Sequence, residues 1–302
     1  MKKDFLALTD WSKAELDQMF ELTRELKEKQ KNGEPHELLK GKSLAMIFEK
    51  SSTRTRVSFE VGMFQLGGHA LFLHSGTTQM GRGEPIKDSG RVMGRYCDGI
   101  MIRTFSQEAV AELAQWSEAP VINGLTDLYH PCQLMADIFT VIEHKGGYEG
   151  LTFAWIGDGN NMANSWINAA AVFGFELQIA TPKGYEPDRA VMARAEEMGA
   201  IIRYSNDPMV AADGADVLST DVWASMGQEE EAEKRRQAFA GYQIDSKVLA
   251  AARPEAIVLH CLPAHRGEEI SDAVIEGTQS VVFDQAENRL HAQKAILATL
   301  MG

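Results

Sequence analysis

Between Phe48 and Glu60 the chain reads FEKSSTRTRVSFE, which sets the hydroxyls of Ser52, Thr53 and Thr55 beside the guanidinium groups of Arg54 and Arg56. An apolar run, Ser43 to Phe48, precedes them, and Val57, Val61 and Phe64 recur at helical spacing afterwards. The hydroxyls are therefore expected where a strand runs into a helix. Unpaired backbone N–H groups and the positive end of the helix dipole favour an anion there, and arginines add planar donors that grip phosphate oxygens in pairs. Each such charge-assisted bond contributes roughly 1.5–3 kcal/mol. The plainer possibility is that Ser52 or Thr53 only caps the helix while the arginines are solvated.

Other chemistry-bearing residues also follow apolar runs. Arg103 ends the run IMIR, where a charged side chain must escape the core or point into a cleft. His130-Pro131-Cys132-Gln133 places an imidazole and an amide one helical turn apart, so both can face one uncharged planar group beside a phosphate; a histidine cap on a core helix is the alternative. Cys132 itself reads as packing. GDGNNMANS, Gly157 to Ser165, suggests a dinucleotide fingerprint and fails as one. Its third glycine would fall at Met162, and the next strand ends in Thr181-Pro182-Lys183 without a ribose-binding acid. Asn160 and Asn161 instead suit a polar ligand at a helix start, or plain capping. Asp221, in DVWASMG, can hold an ammonium group, while Cys261 in His260-Cys261-Leu262-Pro263 shares its sheet edge and is read as a site residue. His260 and His265 lack the usual ligand spacing, so no metal is implied. Arg289 near the start of the last helix can reach a phosphate or be solvated.

These residues need elements to position them, and the pattern supplies strands alternating with helices. Ser12 to Lys31 opens with the capping box Ser12 to Glu15 and reads as a helix. Strands are expected at 43–48, 70–73, 99–103 and 120–123, with helices near 55–66, 85–96, 107–116 and 131–144. After Gly146-Gly147 a second series gives strands at 151–156, 176–180, 200–204, 216–220, 256–260 and 280–283, and a charged helix over 228–239. The expected fold class is α/β: two doubly wound domains, 1–145 and 146–284, each with a central parallel sheet flanked by helices. A C-terminal helix over 285–302 is expected to pack back on the first. Ligands in such sheets bind beyond the carboxyl ends of the strands.

The chain has 302 residues, 44% of them hydrophobic, enough for two ordinary cores. Thirty Lys and Arg against 43 Asp and Glu leave a net charge of −13, which argues against nonspecific binding to nucleic acid or an anionic membrane. An anionic ligand then needs a locally basic cleft. No signal peptide or spanning segment is read from the sequence, and three scattered cysteines fit a reducing compartment, so a soluble cytoplasmic protein is expected.

Taken together, STRTR, HPCQ, DVWASMG and HCLPAHRGEE, in this order from Ser52 to Glu269, closely resemble the ornithine carbamoyltransferases. The resemblance implies that Ser52, Thr53, Arg54, Thr55, Gln79, Arg103, His130 and Gln133 bind carbamoyl phosphate, with Cys261, Leu262 and Arg289 completing the pocket. It implies that Asn161, Asp221, Ser225 and Met226 bind ornithine, and that the Leu262–Pro263 peptide is cis. It further implies trimers or multiples of trimers with Gln79 reaching a neighbour's site, no cofactor and no metal. The catalytic residues would be Cys261, Arg103 and His130. Aspartate as the second substrate would need extra cations, putrescine lacks the groups that Asn161, Asp221 and Ser225 would hold, and N-acylated ornithine has no ammonium for Asp221. A nucleotide-dependent oxidoreductase conflicts with the broken fingerprint, and a noncatalytic sensor would not need the amine-side residues.

Overall fold

Five apolar residues in a row, Leu44 to Phe48, all of them buried, make β1 (Ser43–Phe48) a strand covered on both faces, as interior parallel strands are. In this computed structural model, which describes residues 2–224 and 231–302, the chain divides into two compact units, Met1–Phe139 with Asn288–Gly302, and Thr140–Glu287. Ser225, Met226 and the first three positions of the helix expected over 228–239 lie outside the described residues.

The first unit opens with α1 (Lys13–Lys31), whose capping box is formed: Ser12 accepts from the Glu15 backbone N–H, and the Glu15 carboxylate accepts from Ser12 N–H at 2.9 Å. After β1 come α2 (Thr53–Gln65), β2 (His69–His74), α3 (Ile86–Tyr96), β3 (Gly99–Arg103), α4 (Gln107–Trp116) and β4 (Val121–Leu125). The four strands are parallel in the order β2-β1-β3-β4. Chain order reverses between β1 and β3, whose register sets Phe48 opposite Arg103. A crevice for a ligand is expected at this reversal. Ala45, Ile47, Ile100, Ile102, Val110 and Leu113 form a core on one face. β2 is an edge strand with Leu71 and Phe72 exposed. On α2 the residues Val57, Val61 and Phe64, spaced four and three apart, are exposed as well.

Helix α5 (Pro131–Lys145) carries the chain into the second unit. There β5 (Thr152–Ile156), α6 (Asn161–Phe173), β6 (Glu176–Ala180), α7 (Arg189–Glu197), β7 (Ile201–Ser205), α8 (Pro208–Ala212) and β8 (Val217–Thr220) alternate. They are followed by α9 (Ala232–Ala238), α10 (Ser246–Ala251), β9 (Ile257–His260) and α11 (Asp272–Ile275). The parallel order is β7-β6-β5-β8-β9, so the reversal lies between β5 and β8. Phe153, Trp166 and Phe175 pack ring on ring beneath this sheet, with Phe153 and Phe175 stacked at 4.0 Å.

One expected strand is absent from the described residues. Ser280 makes only an isolated bridge to Val258, and Val282 begins α12 (Val282–Met301). Val281 and Val282 are buried where that helix begins and Phe283 is exposed on its first turn, so the apolar run belongs to a helix start, a distinction that a short run cannot make by itself. No helix among the described residues is long and apolar enough to cross a membrane.

Candidate functional site

At the first reversal, Ser52 is the N-cap of α2: its backbone is extended and its hydroxyl accepts from Thr55 N–H at 3.2 Å. The same hydroxyl donates to Thr55 Oγ1 at 3.1 Å. Capping is therefore real, and it also gathers two hydroxyls at a helix start that carries no acidic residue in its first turn. Thr53 and Arg54 are exposed beside them. Arg56 is held along its own helix and against the neighbouring strand. Its Nε donates to Glu60 at 2.9 Å, one turn on, and its guanidinium stacks over Phe72 at 3.8 Å. Gln79 is exposed and precedes a short 3-10 turn, Met80–Arg82.

Arg289 on α12 is 5% exposed and extends to Thr55 Oγ1, 3.4 Å from Nη2. Its Nη1 donates to the Gln133 side-chain carbonyl. Gln293, one turn along α12, accepts from Arg289 at 3.0 Å and donates to Ser58 at 2.5 Å when its amide is oriented by these neighbours. Gln133 in turn donates through Nε2 to Asp137 at 2.7 Å. Asp137, Gln133, Arg289, Thr55 and Ser52 thus form one continuous hydrogen-bonded chain across three helices of the first unit. His130 and Arg103 are 5% and 7% exposed. Burial, then the charges of Arg289 and Arg103, hold the His130 imidazole well below the usual histidine range. It is neutral at physiological pH and can donate to a carbonyl oxygen without adding charge. Cys132 is buried, its thiol donates to Asn123 O at 3.3 Å, and burial pushes it up to about 12, which makes it packing and not a nucleophile.

At the second reversal the charge is opposite. Asp221 follows β8, and its Oδ2 accepts from Asn160 Nδ2 at 3.0 Å, while Oδ1 accepts from Val222 N–H at 2.8 Å and from the Cys261 thiol at 3.1 Å. Asn160 is also the N-cap of α6, accepting from Met162 and Ala163 N–H, and Asn161 is the first residue of that helix. Gly159, just before, could be nothing else. A Cβ there would lie 2.3 Å from the Glu186 carbonyl carbon and the Pro187 nitrogen. Asp158 pairs with Arg235 of α9 at 2.8 Å with both side chains buried, and Arg235 also donates to Trp223 O at 2.9 Å. Burial raises Asp158 to about 6 against the pull of Arg235.

Cys261 leads into Leu262, whose backbone is left-handed (φ 57°), and a cis Leu262–Pro263 peptide. The turn is tied to His260, which accepts from Leu262 N–H through Nδ1 at 2.9 Å and donates through Nε2 to Glu269 at 2.9 Å. His260 and Glu269 have fully buried side chains. Sequence reasoning considered His260 only as a metal ligand and passed over this pair and Asp137. Asp137 carried a signal, its spacing of four from Gln133 on one helix face, whereas nothing in the spacing of nine couples His260 to Glu269.

The chain matches two family models: aspartate/ornithine carbamoyltransferase, carbamoyl-P binding domain, over residues 3–143, and the Asp/Orn binding domain of the same family over residues 149–300. It is 72% identical over 301 residues to an ornithine carbamoyltransferase of Syntrophotalea carbinolica, with all of both chains covered. It is 65% identical over 302 residues to that of Geobacter sulfurreducens, again covering both in full. Among solved structures, the ornithine carbamoyltransferase from Pyrococcus furiosus superposes with a TM-score of 0.95 at 50% identity, covering 99% of this chain and 97% of that one. The Thermus thermophilus enzyme gives 0.90 at 42% identity, with both chains fully covered.

Proposed function

The chain belongs to the aspartate/ornithine carbamoyltransferase family, and we propose that it transfers the carbamoyl group of carbamoyl phosphate to the δ-amine of L-ornithine, giving L-citrulline and phosphate. In this reading Ser52, Thr53, Arg54, Thr55, Arg103, His130, Gln133 and Arg289 take carbamoyl phosphate, and Asn161 and Asp221 take ornithine, together with Ser225 and Met226. The observation that carries the choice of amine is Asp221, a buried carboxylate within 3.1 Å of the Cys261 thiol. It suits an ammonium-bearing substrate and would repel a second carboxylate.

The chemistry sets two demands. An alkylamine with a pKa of ~10.4 must lose a proton before it attacks, which costs roughly 4 kcal/mol at neutral pH. In this reading Cys261 accepts that proton as its own passes to Asp221, which the 3.1 Å bond between thiol and carboxylate supports. The attack then builds charge on the carbonyl oxygen, where donors from Arg103, Thr55 and neutral His130 would each be worth ~10²–10³ in rate. Arg54 and Arg289 stabilise the departing phosphate, a role that the contacts of Arg289 with Gln133 and Thr55 support.

A homotrimer, or a multiple of it, in the cytoplasm completes the reading. The exposed apolar stripe of α2 and the open edge at β2 support an assembly, since such surfaces are usually covered. Exposed Gln79 would then serve a neighbour's site. The test is product formation from carbamoyl phosphate with ornithine, putrescine, aspartate and N-acetylornithine in parallel. Citrulline formed selectively from ornithine is the expected outcome. Strong preference for another amine would overturn the role given to Asp221, and no transfer to any amine by folded protein would overturn the enzyme.

A further inference from the structure

Gln133 and Asp137 sit one turn apart on α5, at 1% and 0% exposure, and the 2.7 Å bond between them fixes which end of the amide points where. A carboxylate only accepts, so it must face the Gln133 nitrogen. The guanidinium of Arg289 only donates, so it must face the Gln133 oxygen. Two neighbours on different helices therefore impose the same orientation. We propose that Asp137 is a positioning residue that holds the acceptor end of Gln133 toward the ligand, so that the site selects an acyl phosphate bearing an N–H donor.

This rests on the reading that the first unit binds carbamoyl phosphate, and it names the feature of that ligand which is recognised. When a phosphate draws the guanidinium of Arg289 to itself, the Gln133 oxygen is left needing a donor. A carbamoyl NH₂ supplies one, whereas the methyl of acetyl phosphate does not and leaves a buried acceptor unsatisfied. An amide free to rotate would lose that distinction by offering its own NH₂ instead. The amide also serves as a neutral relay. A carboxylate set directly against Arg289 would order it equally well but would neutralise the charge meant for phosphate.

The experiment uses the full chain and measures dissociation constants for carbamoyl phosphate, acetyl phosphate and inorganic phosphate, alongside thermal unfolding. The wild type is expected to prefer carbamoyl over acetyl phosphate. Asp137→Asn, nearly isosteric but able to face Gln133 with either end, should lower carbamoyl phosphate affinity about 10-fold while acetyl phosphate and inorganic phosphate stay within about twofold. Gln133→Met should collapse the same preference, and the double variant should lose no more than either single one. A folded Asp137→Asn protein that keeps its preference, or that loses all three ligands equally, overturns the positioning role. Should Asp137→Asn fail to fold, a preserved preference in Gln133→Met overturns it instead. A wild type that binds no carbamoyl phosphate would overturn the function on which the proposal rests, which separates the two failures.

Discussion

The two sheet reversals solve opposite electrostatic problems by different means. At the first, cationic and neutral donors on three helices are held by side chains bonded to one another, from Asp137 through Gln133 and Arg289 to Thr55 and Ser52. At the second, the Asp221 carboxylate is held by the backbone N–H of Val222 that follows it and by two side chains from neighbouring turns, Asn160 and Cys261. Several like charges near one anion repel each other until it arrives, so they need bracing from outside the site. One carboxylate needs only the polar groups of the turns around it. The first region should accordingly respond to changes well away from the ligand, and the second mainly to changes within contact of Asp221.

The largest effect that would test this contrast is at Arg54. Arg54→Ala removes two or more charge-assisted bonds and should weaken carbamoyl phosphate binding roughly 10³-fold, read by calorimetry; normal binding would break the account of the first region. In the second region, Cys261→Ala should reduce turnover by about 10²-fold with little change in carbamoyl phosphate affinity, and unchanged turnover would rule out a proton role for the thiol. The smallest effect concerns the bracing helix α12. Lys294 is buried there, donating to Leu26 O at 3.4 Å and meeting His36 Nε2 at 3.2 Å. Burial lowers its ammonium from 10.5 to about 8. Between those values the unfolded chain holds the proton that the folded chain has released, so this group makes stability rise with pH across about 8 to 10.5. Lys294→Met should flatten that rise in a melting-temperature series, and an identical slope in both proteins would remove Lys294 from the account.

Much of the fold was legible because buried parallel strands are written as unbroken apolar runs. β1 and β3 have the limits that their composition suggests, and so does β6 although Glu176 and Gln178 interrupt its run. Ser280 to Phe283 misled for the same reason, since a short apolar run at a helix start looks alike. Motif order was legible at the site, but the destination of each side chain was not. Arg54 and Arg56 are equivalent in the sequence pattern, and the binding of Arg56 to Glu60 and Phe72 depends in part on the fold bringing Phe72 to it. Pairs within one helix, such as Gln133 and Asp137, could have been read from their spacing. Pairs made by tertiary approach, such as Arg289 with Thr55 or Asp158 with Arg235, could not, because nothing local requires them.

The apolar stripe of Val57, Val61 and Phe64 beside the open edge of β2 has a consequence in mass action. Were other copies of the chain to cover it, as the proposed trimer would, the stability of each copy would depend on how many others are present. Dilution would then act as a slow inhibitor, uncovering the stripe and removing from each site whatever a neighbour contributes. Activity per molecule would fall with concentration even though no residue and no bond within the chain had changed.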